Sequence, residues 1–129
     1  MDYEKTYEDF AKWLDKILEQ EIPDGVIAFH FNLYEGSENT YDVQIIGASQ
    51  FDEEDPDWPC YHDLFSSGEN IFYIDRISEI AKWEQGLTLA VALVKDYLKQ
   101  GKYAKKFLSS QAIGVGFVDG DTELIYRAE

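Results

Sequence analysis

Residues 26–34 read Val26-Ile27-Ala28-Phe29-His30-Phe31-Asn32-Leu33-Tyr34, and the run alternates as a β-strand does. Ile27, Phe29, Phe31 and Leu33 form a strongly apolar face; Val26, Ala28, His30, Asn32 and Tyr34 form a more polar one. The turn residues Glu35-Gly36-Ser37-Glu38-Asn39 follow. Thr40 to Ala48 then returns, with Tyr41, Val43 and Ile45 against Asp42, Gln44 and Ile46. The pair predicts an antiparallel hairpin, one face packed on a helix and the other partly wet.

Upstream, Tyr7, Phe10, Leu14 and Ile17 recur at helical spacing, with Trp13 and Leu18 beside them. The spacing predicts a helix over roughly residues 5–21, with Thr6 as its N-cap and Pro23-Asp24-Gly25 as its stop. Downstream, residues 51–68 lack periodicity and read as a structured irregular loop. Ile71 to Ile74 is a short third strand. Ile80, Trp83, Leu87, Val91, Val94 and Leu98 mark a long helix near residues 76–100, which Gly101 ends. Gly86 costs this helix roughly 1 kcal/mol relative to alanine. Tyr103, Phe107 and Leu108 suggest a short helix. Ile113, Val115 and Phe117 alternate with Ala112, Gly114 and Gly116, Asp119-Gly120 turns the chain, and Thr122 to Arg127 returns. Glycines 114 and 116 strip one strand face of side chains. Close packing of a helix or tryptophan over them is the favoured reason; the approach of a partner's backbone is the other.

The order is α-β-β-loop-β-α-α-β-β. It predicts one α+β domain over residues 1–129, an antiparallel sheet of four or five strands with helices packed on one face. At 129 residues, with 45% hydrophobic and 16% aromatic residues, the chain has material for a core. It holds no apolar run long enough for a membrane span. The N-terminus, Met1-Asp2-Tyr3-Glu4-Lys5, does not read as a signal peptide. The lone Cys60 rules out an internal disulfide and suits a reducing, cytoplasmic setting.

The net charge of -15 argues against direct binding of nucleic acid backbone or anionic lipid. Residues 1–69 hold 3 of the 11 basic and 18 of the 26 acidic residues, so the imbalance belongs to that half. Its densest stretch is Asp52-Glu53-Glu54-Asp55-Pro56-Asp57. Lys95, Lys99, Lys102, Lys105 and Lys106 form the basic counterpart.

Catalytic motifs are not legible. Cys60 and His62 lie two apart, but Asp55, Asp57 and Asp63 surround the thiol with negative charge, which disfavours a reactive thiolate. A structural zinc site wants four Cys or His ligands, and the chain has one Cys and two His. Asp52 to Asp63 has the length of a calcium loop but carries Asp57 and Asp63 where glycine and glutamate belong. Gly114-x-Gly116 lacks the third glycine of a phosphate loop and lies in a strand. His30 reads as a satisfied sheet residue. The expectation is a non-enzymatic protein with no cofactor and no metal.

Residues 51–65 interleave acids with aromatics: Phe51, Trp58, Tyr61 and Phe65 among Asp52, Glu53, Glu54, Asp55, Asp57 and Asp63. Such a stretch suits an interface to a basic partner, with carboxylates steering and Trp58 and Tyr61 anchoring. The other reading has the aromatics plugging the sheet while the acids are merely solvated, and the sequence weighs the two evenly. A third leaves the chain self-associating, its lysine cluster meeting the acidic half of a second copy as a homodimer.

The stretch Phe51-Asp52-Glu53-Glu54-Asp55-Pro56-Asp57-Trp58-Pro59-Cys60 and the closing Val115-Gly116-Phe117-Val118-Asp119-Gly120-Asp121 resemble the small acidic α+β immunity proteins of bacterial polymorphic toxin systems. The resemblance implies stoichiometric inhibition of a cognate toxin inside the producing cell. It carries over no particular contact residue.

Overall fold

The structure, a computed structural model, describes residues 1–61 and 64–128. Helix α1 (Tyr3–Leu18) starts earlier than its apolar spacing suggests, because Asp2 and not Thr6 is the N-cap. The Asp2 carboxylate accepts the Lys5 N–H at 3.1 Å, and the Thr6 hydroxyl is spent on the Asp2 carbonyl at 3.1 Å. The helix buries Phe10, Leu14, Ile17 and Leu18.

Strands β1 (Ala28–Glu35) and β2 (Thr40–Ala48) form the expected antiparallel hairpin, with Phe31 opposite Ile45 and Leu33 opposite Val43. Asn39 closes its turn at φ 58°, a left-handed conformation that asparagine tolerates better than most residues. The sheet has six strands rather than four or five, and it is mixed. Its path is β3 (Phe65–Ser66), β2, β1, β5 (Ala112–Phe117), β6 (Glu123–Arg127). Strand β4 (Phe72–Asp75) pairs with the first half of β2, so β3 and β4 share that strand's outer edge. The extra strand lies inside the segment read as irregular; two residues are too short to show an alternation.

The all-antiparallel expectation fails at one ladder. β1 and β5 run parallel, Ala28 beside Ala112 through Leu33 beside Phe117. Parallel neighbours need a long crossover, usually through a helix. Here it is supplied by everything between β2 and β5, including α2 (Trp83–Gln100) and α3 (Ala104–Leu108). A 3-10 turn at Ser78–Ile80 precedes α2, so that helix begins later than residue 76. No described helix is long and apolar enough to cross a membrane.

The main core joins Phe29, Phe31, Leu33, Tyr41, Val43, Ile45, Ile113 and Val115 to side chains from all three helices, among them Phe10, Leu93 and Phe107. Aromatic edges tie it together: Phe29 meets Phe107 at 5.0 Å and 88°, and Phe10 meets Phe72 at 5.4 Å and 73°. Tyr41 rises against α2 and donates its hydroxyl to the Ile80 carbonyl at 2.6 Å. A Cβ on Gly86 would sit 2.5 Å from that ring, which explains a glycine inside the helix. The alternate residues of the strands, Ala28, Ile46, Ala48 and Ala112, form a second, smaller cluster with Trp58.

Candidate functional site

Trp58 decides the geometry of the acidic stretch. It is 4% exposed, within a short 3-10 turn (Trp58–Cys60), and meets Phe51 edge-on at 5.2 Å and His30 at 5.6 Å. A Cβ on Gly114 would lie 2.6 Å from the Thr122 methyl and 3.0 Å from the rings of both His30 and Trp58, so this glycine makes room for close packing that includes the indole, as the packing reading expected. Gly116 instead lies under the Asp121 backbone, whose carbonyl oxygen a Cβ would meet at 2.5 Å. Trp58 is therefore the plug, and its ring surface is occupied by the sheet.

The plug pins a chain of tight turns. The Asp52 carboxylate accepts the Glu54 N–H at 3.0 Å, and that of Asp55 accepts the Asp57 N–H at 2.9 Å. Such local bonds are what aspartate offers in turns. Tyr61 is half-buried. Its hydroxyl donates to Asp55 at 3.2 Å, a bond that pushes the phenol pKa up. The Ser49 N–H donates to the Tyr61 carbonyl at 2.8 Å and ties the loop back to the end of β2. Asp52, Glu53, Glu54 and Asp57 point to solvent, and Asp55 is half-buried. Glu53 pairs with Arg127 of β6 at 2.9 Å, both exposed. Of the predicted residues, then, four acids form an open negative surface, while Asp55, Trp58 and Tyr61 shape it.

The same strand face carries a buried polar chain. His30 Nδ1 lies 2.6 Å from the Asn32 amide oxygen, and Nε2 lies 3.0 Å from the Thr122 hydroxyl. Asn32 donates its amide N–H to Gln44 Oε1 at 3.3 Å, so its oxygen faces His30 and the imidazole proton belongs on Nδ1. Burial pushes the His30 pKa down to about 4, against a smaller opposing effect of the Asn32 bond. Both ring nitrogens are satisfied by neutral groups. Cys60 is exposed. The Cys60–His62 pair and the loop reading that ends at Asp63 reach residues outside those described. Among the described residues, no three His, Cys, Asp or Glu side chains are grouped as a metal would need.

One part of the surface was not legible. Beyond the turn between β5 and β6 lies an open cavity of about 560 Å³, with Trp83, Leu87 and Phe117 as its apolar wall. Glu35, Asp119, Asp121 and Glu123 also line it. Trp83 is 50% exposed and meets Phe117 edge-on at 6.0 Å and 89°. Its helical phase is that of the buried stripe Gly86, Ala90, Leu93 and Tyr97. As the first residue of α2, however, it overhangs the end of the sheet. Gly120, Asp121 and Thr122 also line a neighbouring hollow with Glu53, Glu54 and Trp58, so the cavity continues the acidic surface.

No family model matches the chain, and no match was found among the curated proteins or the solved structures compared with it.

Proposed function

We propose that this chain is a non-enzymatic binding protein that neutralises a basic protein partner through its acidic face. The partner most in keeping with the resemblance to immunity proteins is a cognate toxin, met in the cytoplasm of the producing cell. One observation supports this reading above the others. Asp52, Glu53, Glu54 and Asp57 stand exposed on a loop that the buried Trp58 and the Asp52 and Asp55 turns hold in one shape. A charged surface already ordered loses little conformational freedom on binding. Its field speeds encounter with a basic protein, and the effect fades as salt rises.

The test is capture from the native host's lysate at low and high salt, with the wild-type chain and with a variant carrying Glu53→Lys, Glu54→Lys and Asp57→Lys. Asp52 and Asp55 stay, because their carboxylates hold the Glu54 N–H and the Tyr61 hydroxyl. The expected result is one basic protein bound by the wild type, released at high salt and missed by the variant. Equal capture by a folded variant would sink the reading. The second reading, self-association, is favoured by the exposure of Lys95, Lys99, Lys102, Lys105 and Lys106. It requires a dimer at low salt that light scattering sees dissociate as salt is added.

A further inference from the structure

We propose that the cavity between the start of α2 and the β5–β6 turn receives one arginine side chain of the basic partner. The proposal rests on the reading above and assigns the anchor point that the buried Trp58 leaves vacant. Three independent features converge there. The first is shape: about 560 Å³ of concave space, room for a long side chain. The second is the wall. Trp83 is half exposed, and its indole is braced edge-on by Phe117, which in turn meets Tyr41 at 6.0 Å. Tryptophan offers the best aromatic face for a cation.

The third is charge. Glu35, Asp119, Asp121 and Glu123 line the same space. Glu35 is shared with Arg76 at 3.5 Å, whereas no described cation pairs with Asp119, Asp121 or Glu123. The positive end of the α2 dipole opposes a cation here, but it amounts to about half a unit charge against three carboxylates that no described cation pairs with. Arginine suits the site better than lysine. Its planar guanidinium stacks on an indole while its N–H fork reaches carboxylates at the rim, and it sheds water more readily than an ammonium.

The probe is N-acetyl-arginine-methylamide, titrated into the full chain at low salt. The readout is the indole N–H nuclear magnetic resonance signals of Trp13, Trp58 and Trp83, assigned by single Trp→Phe variants. The Trp83 signal should move saturably while the other two stay. The neutral, isosteric citrulline analogue should leave all three in place. Asp121→Asn with Glu123→Gln should weaken the arginine probe about fivefold without unfolding the chain. A Trp83 signal that ignores the arginine probe, or answers citrulline equally, overturns the proposal.

Once the partner is in hand, Trp83→Ala separates the two claims. If it leaves partner affinity intact while the acidic-loop reversal abolishes it, the cavity proposal fails and the binding reading stands. If the arginine probe binds at Trp83 but loop reversal leaves partner capture unchanged, the cavity stands as a cation receptor and the acidic-loop reading fails.

Discussion

His30 is kept neutral by its place under Trp58. Burial pushes its pKa down to about 4, while an imidazole in the unfolded chain titrates near 6.5. Between those values only the unfolded chain binds the proton. The stabilising contribution is therefore whole above 6.5 and is lost as pH falls towards 4, a loss of about 3 kcal/mol over the full window. His30→Gln keeps hydrogen-bonding groups but cannot titrate. The stability gap between wild type and variant, measured by urea unfolding, should narrow from about pH 7 to about pH 4.5, the carboxylates common to both cancelling. A gap constant with pH would assign the acid sensitivity elsewhere. The alternation of residues 26–34 reveals that His30 lies off the apolar face. Its dryness was not legible, because Trp58, which covers it, comes 28 positions later and packs by tertiary contact alone.

At the scale of elements, the acidic loop depends on its plug. Trp58→Ala should cost about 3–5 kcal/mol, since it empties the space above Gly114 and uncouples the turns from the sheet. Urea unfolding measures the loss, and amide exchange over residues 52–57 should quicken with it. A cost below about 1 kcal/mol would mean that the turns hold themselves. Helix α2 shows how far periodicity reaches. Its phase is readable, but where the sheet beneath it stops is not, so the exposure of Trp83 emerges only when Phe117 and the β5–β6 turn are placed beside it. Gly86 shows the converse. On propensity it is a small defect; beside the Tyr41 ring it is the residue that lets helix and strand approach. Likewise the Asp119-Gly120 turn is plain in the sequence, whereas its second use, as a common wall of two hollows, depends on which elements the crossover brings near.

The whole molecule carries -15 and few internal compensations. The ion pairs Lys5–Asp9 and Arg127–Glu53 are exposed and contribute little. Self-repulsion should thus dominate the salt response. Raising sodium chloride from about 10 mM to about 0.5 M should stabilise the chain by about 1 kcal/mol, or roughly 4 °C in Tm. A fall in Tm by calorimetry would show that attraction between the acidic half and the lysine cluster outweighs repulsion. The α+β class and the order of most elements follow from alternation, helical spacing and turn residues. The parallel ladder does not, because no local pattern says which strand will lie beside β1.

That ladder sets a timetable for the growing chain. During synthesis β2 follows β1 directly, yet the other flank of β1, Ala28 to Leu33, has no native neighbour until Ala112 to Phe117 emerge. For most of translation the middle of the finished sheet is an unsealed border, rich in Phe29, Phe31 and Leu33 and open to pairing with any extended segment. The late segment that seals it carries glycines at 114 and 116, which make it a poor partner for a wrong sheet.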